Sequence, residues 1–217
     1  MVGTDPTAAG LVQVGRALLD ALRGEIHDER VLAALEVVSR DAFVPAYHRA
    51  QAWENTSLPI DAGQTISQPL VVARMCQLLR LTGSERVLDV GTGSGYHAAV
   101  LGRLAAHVFT VEVREALSRA ARDALAATRA DNVTCVVADG ARGLPDRAPF
   151  DAINVAAAAP ETRLAVLVGQ LAPGGRLVAP VSEAGGDQRL VVLARRASGE
   201  IERTEHESVR FVPLVES

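Results

Sequence analysis

Three glycines spaced two apart follow a short apolar run in Val87-Leu88-Asp89-Val90-Gly91-Thr92-Gly93-Ser94-Gly95-Tyr96. Glycine at 91, 93 and 95 lets the backbone take positive φ and approach a ligand with no Cβ in between. The dinucleotide fingerprint asks for glycine or alanine where Tyr96 stands, so a pyrophosphate is a poor match. Asp89 points the same way: a carboxylate two residues before the first glycine repels a pyrophosphate and suits a ligand with an amino group and a positive centre. Glu112 comes 23 residues after Asp89, at the end of the next apolar run, where an acid can accept both hydroxyls of a ribose. Asp139 ends the third run, where a carboxylate or a neighbouring amide can bind an adenine edge. Three acids at successive strand ends over one glycine loop point to S-adenosylmethionine. Each acid alone could equally cap a helix or lie in a solvated loop.

The elements that must hold these residues follow from periodicity. Leu11 to Leu22 and Val31 to Val38 are spaced as helical faces, with Asp28 a plausible cap for the second. Residues 40–61 are irregular, with Pro45 and Pro59 as breakers, and residues 68–81 are helical with Pro69 in the first turn. From Arg86 strands and helices alternate: strands over 86–90, 107–113, 133–138, 151–156 and 176–181, and helices over 96–106, 114–129 and 161–171, the last stopped by Pro173-Gly174-Gly175. Regular alternation predicts an α/β fold, a doubly wound, mainly parallel sheet with helices on both faces. Only residues 182–187 separate strand 176–181 from the apolar run 188–196, too few for a parallel crossover, so that pair is expected to be antiparallel. Further strands are expected around 201–204 and 208–215. In this division residues 1–84 form an N-terminal helical, substrate-side segment packed on the same domain, and 85–217 the ligand-binding core.

Composition removes several chemistries. The 217 residues carry 22 basic and 26 acidic side chains, and every basic one is arginine. Without lysine there is no Schiff base, no lysine general base and no phosphate loop of the Walker type. A net charge of −4 and an aromatic content of 3% argue against a nucleic-acid binder, which needs phosphate neutralisation and stacking platforms. Cys76 and Cys135 have no metal-ligand or disulfide spacing, and no metal site is expected. Residues 1–10 lack the pattern of a signal peptide and no apolar run reaches membrane-spanning length, so a cytoplasmic protein with no membrane partner is expected, and, with no exposed apolar stripe evident, a monomer.

Ahead of the glycine loop stand Phe43-Val44-Pro45, Leu58-Pro59-Ile60 and Gly63-Gln64-Thr65-Ile66-Ser67-Gln68-Pro69; beyond it come Asp139-Gly140-Ala141-Arg142-Gly143-Leu144, Ala157-Ala158-Ala159-Pro160, Pro173-Gly174-Gly175-Arg176-Leu177 and Arg210-Phe211-Val212-Pro213-Leu214. Together these stretches resemble the protein-L-isoaspartate (D-aspartate) O-methyltransferase family over nearly the whole chain. The resemblance implies a seven-stranded sheet whose last two strands are exchanged relative to most methyltransferases. It implies methyl transfer from S-adenosylmethionine to the free α-carboxyl of L-isoaspartyl residues in damaged proteins and peptides, with repair through a succinimide. Ser67 would stand beside the reacting carboxylate, Thr65 and Ile66 would line the pocket, and Val212 would meet the substrate through its backbone. The cofactor would be held by Thr65, Ile66, Asp89, Gly91, Thr92, Gly93, Ser94, Gly95, Glu112, Val113, Asp139 and Gly140.

Local sequence leaves alternatives beside several of these roles. Ser67 could cap the helix that begins near Pro69, and Thr65 could make a local hydroxyl turn. Tyr96 and His97 suit packing in the first helical turn, Trp53 suits a plug between the N-terminal helices and the sheet, and the remaining histidines show no pairing pattern. The chain departs from the family pattern at Trp53-Glu54-Asn55-Thr56-Ser57 and at Asn154. Rival functions are a specialised aspartate O-methyltransferase acting on a modified peptide, an RNA or small-molecule methyltransferase, and a non-catalytic cofactor-binding module.

Overall fold

The computed structural model describes residues 8–183 and 185–215. Two helices lead, α1 (Ala8–Leu22) and α2 (Glu29–Val37). Asp28 caps α2 as its position predicts, with Oδ1 accepting the Arg30 N–H at 2.9 Å. Residues 40–63 turn through short 3-10 segments into a two-stranded ladder, β1 (Leu58–Pro59) against β2 (Thr65–Ile66). Helix α3 (Pro69–Leu79) follows. It stops two residues before the predicted 81 because Arg80 takes the left-handed conformation (φ 50°).

The alternating region folds as β3 (Arg86–Val90), α4 (Tyr96–Leu104), β4 (His107–Glu112), α5 (Glu115–Ala127), β5 (Val133–Val137), β6 (Phe150–Val155), α6 (Glu161–Val168), β7 (Leu171–Ser182), β8 (Gln188–Arg195) and β9 (Ile201–Ser208). The sheet order is β5-β4-β3-β6-β7-β8-β9; the first five of these strands run parallel, while β7–β8 and β8–β9 pair antiparallel. The order turns back at β3, so the carboxyl ends of β3 and its neighbours open a crevice there. Adjacent residues of a strand face opposite layers. Val87 joins the cluster under α1–α4, whereas Leu88 and Val90 join the cluster under α6.

Further differences from the sequence expectation fall in the C-terminal half. Helix α6 ends at Val168 rather than 171: Gly169 closes it and Leu171 already pairs with Phe150 in the sheet. Strand β7 therefore starts five residues earlier than 176 and carries Pro173-Gly174-Gly175 as a bulge opposite Asp151, where a Cβ on Gly175 would lie 2.9 Å from the Asp151 carbonyl oxygen. Residues 209–215 form no strand; they run extended across the crevice, tied to the 156–159 turn by a single parallel bridge between Ala158 and Pro213. Among the described residues no helix is long and apolar enough to cross a membrane.

Candidate active site

The glycine loop joins β3 to α4 and is pinned from the β4 side. The N–H groups of Gly91 and Thr92 both donate to the Val111 carbonyl, at 2.9 and 3.1 Å. Glu112 then holds the loop from below, one carboxylate oxygen accepting the Gly93 N–H (3.0 Å) and the other the Arg114 N–H (3.1 Å). Gly91 and Gly93 need their glycine, with φ of 94° and 51° on the cleft floor. Gly95 is in a different position. It starts α4, and a Cβ there would meet Ala121 at 3.2 Å, so the third glycine serves the packing of α4 on α5 and does not line the cleft.

A cleft opens over this floor, bounded by Gly91, Gly93, Glu112, Val113, Gly140 and Leu214 among others. A smaller recess beside it takes in Thr65, Ile66, Ser67, Thr92, Ser94 and Ala156. The donor set fits S-adenosylmethionine. Glu112 offers carboxylate oxygens for a ribose diol, Val90, Val111, Val113 and Leu214 offer apolar walls for a base, and the glycines leave main chain bare where an amino-acid tail would lie. Gly140 confirms the tightness of that wall: a Cβ there would stand 2.6 Å from Val90 Cγ1.

Two of the predicted acids do not reach the cleft. Asp139 turns back on its own chain, Oδ1 accepting the Ala141 N–H at 3.0 Å to cap the 140–142 turn, and presents its neighbour Gly140 instead. Asp89 is fully buried behind the loop. Its two oxygens accept from Thr110 Oγ1 and from Asn154 Nδ2, both at 2.7 Å. Thr110 Oγ1 lies 2.7 Å from Thr92 Oγ1, which brings the chain of bonds up into the glycine loop. Asn154 also reaches His97 Nδ1 (3.2 Å), and His97 Nε2 faces Cys76 Sγ (3.6 Å). Burial raises the Asp89 carboxyl to about 6 against the pull of those two hydrogen bonds. Burial pushes His97 down to about 3, so its ring is neutral. Asp89 supports the loop from inside; the expectation that it meets the ligand's amino group is corrected, because it is fully buried and lines neither cleft nor recess.

The other wall is the arm of residues 52–67. A groove of about 450 Å³ runs between this arm and residues 207–212, lined by Ser57, Thr65, Ser67, Leu70, Val71 and Phe211 among others. Thr65 and Ala156 line the cleft, the recess and the groove alike; Ser67 borders recess and groove, and Val212 cleft and groove. Ser67 therefore stands where recess meets groove, two residues from Thr65, which borders all three spaces. Its hydroxyl does not cap α3: the helix has no side-chain cap from its own N-cap residue, and the Leu70 N–H is met by Asn55 Oδ1 at 3.0 Å. Tyr96 packs as expected, buried against Phe43 with ring centroids 5.7 Å apart. Trp53 also packs, its ring under Gly15 of α1.

What sequence reading missed is Arg40. It is fully buried, and its hydrogen bonds among the described residues all go to main-chain carbonyls. Its Nη1 donates to the carbonyls of Ala52 (2.5 Å) and Glu54 (3.4 Å), and Nη2 to those of Thr56 (2.9 Å) and Ser67 (3.1 Å). The guanidinium lies 5.9 Å from the Tyr96 ring centroid. One planar fork thus fixes both ends of the arm that carries Ser67 and docks it on the first turn after the glycine loop. Nothing in the local sequence Ser39-Arg40-Asp41 separates this arginine from a surface one. Asn154 is the other omission; its position was noted, but its partners come from β3 and α4.

Comparison with known proteins agrees with this geometry. A family profile described as protein-L-isoaspartate(D-aspartate) O-methyltransferase matches residues 14–217. The chain is 51% identical over 202 residues to a Roseiflexus castenholzii protein named protein-L-isoaspartate O-methyltransferase, covering 92% of this chain and 91% of that one. It is 50% identical over 190 residues to a Marinobacter nauticus protein named protein-L-isoaspartate O-methyltransferase 2, with 88% and 86% covered. Among solved structures, a Plasmodium falciparum β-aspartate methyltransferase in complex with S-adenosyl-L-homocysteine superposes with a TM-score of 0.79 at 26% identity, over 94% of this chain and 99% of that one. A second, a protein-L-isoaspartate O-methyltransferase, gives 0.81 at 25% identity; here the match spans 92% of this chain and 65% of the longer one.

Proposed function

This chain belongs to the protein-L-isoaspartate(D-aspartate) O-methyltransferase family, and from that premise we propose how its cleft and groove divide the work. The reaction is methyl transfer from S-adenosylmethionine to L-isoaspartyl residues, the first step in their repair. In our reading Gly91, Gly93, Ser94, Glu112, Val113 and Gly140 hold the cofactor, with Thr65 and Ile66 closing its inner end. The groove beside Ser67 and Val212 takes the damaged peptide. Bound in the cleft, S-adenosylmethionine supplies an electrophilic methyl on a sulfonium that carries its own leaving group.

The demands left to the protein are few. An α-carboxyl with a pKa of about 3.5 is ionised at neutral pH, so the attacking oxygen needs no general base. The oxygen–carbon bond forms as the carbon–sulfur bond breaks, and the sulfur keeps the electron pair. The protein must align the three atoms and exclude water. A neutral hydroxyl suits that task, because Ser67 can donate to the carboxylate without neutralising it. The methyl ester is then attacked by the next main-chain nitrogen with loss of methanol, giving a succinimide whose hydrolysis returns some normal aspartyl bonds.

The observation that carries this reading is the meeting of recess and groove at Ser67, a serine with no structural duty to its own helix, with Thr65 beside it bordering the cleft as well. The test is methyl transfer to paired peptides that differ only in an isoaspartyl or aspartyl linkage, with wild type and Ser67→Ala. Ester should form on the isoaspartyl peptide alone. Ser67→Ala should lose about tenfold or more in turnover while binding S-adenosylhomocysteine normally, the size expected when one hydrogen bond to a charged group is removed. Unchanged turnover in that variant removes Ser67 from the reaction, and transfer to neither peptide by wild type favours a binding module.

A further inference from the structure

The far wall of the groove is built from residues that belong to no strand, yet it must present main chain to a peptide. The β8–β9 ladder ends where Arg189 pairs with Ser208. One more main-chain bond follows, from the Val209 N–H to the Gln188 carbonyl at 3.0 Å. Beyond that point the side chain of Gln188 takes over. Its Oε1 accepts the Phe211 N–H at 2.7 Å, and its Nε2 donates to the Phe211 carbonyl at 3.1 Å. A single amide thus satisfies both main-chain groups of one residue, the pairing a neighbouring strand would otherwise provide.

The next part of the segment is held separately. The Ala158 N–H donates to the Val212 carbonyl and the Leu214 N–H to the Ala158 carbonyl, both at 2.8 Å. The cofactor side of residues 212–214 is therefore anchored on the turn after β6, and the groove side on Gln188. Between these anchors, the N–H groups of Arg210 and Val212 donate to no acceptor among the described residues. Both residues line the groove.

We propose that Gln188 is a positioning residue for the methyl acceptor: its side-chain amide stands in for a strand, holds Phe211, and so presents the unpaired N–H groups of Arg210 and Val212 to the main chain of the damaged peptide. Gln188 touches neither substrate nor cofactor; it acts through the 209–212 segment. This inference rests on the proposed division of cleft and groove and adds the residue that fixes the groove's far wall.

Its test compares Gln188→Met, which keeps the bulk and removes both bonds, with Gln188→Glu. An ionised glutamate can accept the Phe211 N–H but repels the Phe211 carbonyl. A protonated one carries a donor and an acceptor as the amide does. Measured against wild type at each pH, Gln188→Met should raise the KM for an isoaspartyl peptide about tenfold, with kcat within about threefold. Its affinity for S-adenosylhomocysteine should stay within about twofold, since Ala158 holds that side. Gln188→Glu should resemble Gln188→Met at pH 8 and move part of the way to wild type as the pH falls to about 4.5, close to the ordinary glutamate pKa of about 4.3, where the substrate carboxylate (about 3.5) is still mostly ionised. Peptide KM ratios near one for Gln188→Met, a Gln188→Glu ratio that does not change with pH, or cofactor affinity falling in step with kcat/KM would each overturn the proposal. A wild type that methylates neither peptide sinks the functional reading itself; an active wild type with indifferent variants sinks only this inference.

Discussion

Replacing Asp89 by asparagine tests the claim that this acid supports the glycine loop from inside. In the native protein burial raises the carboxyl from 3.8 to about 6, with the Thr110 and Asn154 hydrogen bonds opposing and the charge of Glu112 adding. A group harder to ionise when folded stabilises the protein most below its unfolded pKa and loses that contribution as the pH rises through the native value. Here the window runs from about pH 4 to about pH 6, and the charged form costs about 3 kcal/mol above it. Asp89→Asn removes the charge without orphaning its partners. The amide oxygen can accept from Asn154, and the amide nitrogen can donate to Thr110 Oγ1, which turns its proton to Thr92 Oγ1, 2.7 Å away. Urea unfolding from pH 4 to pH 8 should therefore show the two proteins alike at the acid end. Above pH 6 the variant should be more stable by about 1–3 kcal/mol. His97 contributes with the opposite sign, since burial holds it near 3 and its cost fades as the pH rises. Because His97 is present in both proteins, the difference curve isolates Asp89. A difference that is flat with pH, or a variant less stable at pH 8, would refute the argument. Affinity for S-adenosylhomocysteine adds a second check. A direct charge-assisted bond to the ligand is worth about 1.5–3 kcal/mol, tenfold or more, so a loss within about threefold is expected and a tenfold loss would return Asp89 to the cleft.

Two further substitutions probe the walls. Arg40→Met leaves the carbonyls of Ala52, Thr56 and Ser67 without their donor, and should cost about 3 kcal/mol or more in chemical denaturation. Arg40→Lys keeps the charge but not the planar fork, so it should fall between; a lysine variant as stable as wild type would show that charge alone suffices. Gly140→Ala places a Cβ 2.6 Å from Val90 Cγ1, and the strain should appear as about 1–3 kcal/mol of stability together with weaker S-adenosylhomocysteine binding. Normal stability and binding in calorimetry would show that the 139–143 turn yields freely.

Much of this protein is legible along the chain because its signals are local. Alternating strands and helices, the glycine turn after β3 and the Asp28 cap each depend on residues within one turn of one another, and each appears where periodicity puts it. The short connection before β8 dictates an antiparallel pair in the same way, since a chain that short can only turn back on itself. The stretch Thr65-Ile66-Ser67 was recognisable by type and by resemblance. Its placement against cleft, recess and groove, however, needed β2, α3 and residues 207–212 assembled around it.

What tertiary structure alone decided concerns the polar groups. Asp89, Glu112 and Asp139 have the same chemistry and equivalent strand-end positions, yet only Glu112 lines the cleft. Asp89 is drawn inward by Thr110 and Asn154, whose strands flank β3 in space, and Asp139 is taken by its own turn. Arg40 and Gln188 act on main-chain atoms 12 to 27 residues away in one case and 23 in the other. A carbonyl or N–H left over by secondary structure is set by where two segments stop pairing, and every residue carries the same two groups. The chain's pattern of apolar and polar side chains specifies the layers, but the partners of its buried polar atoms exist only once those layers have met.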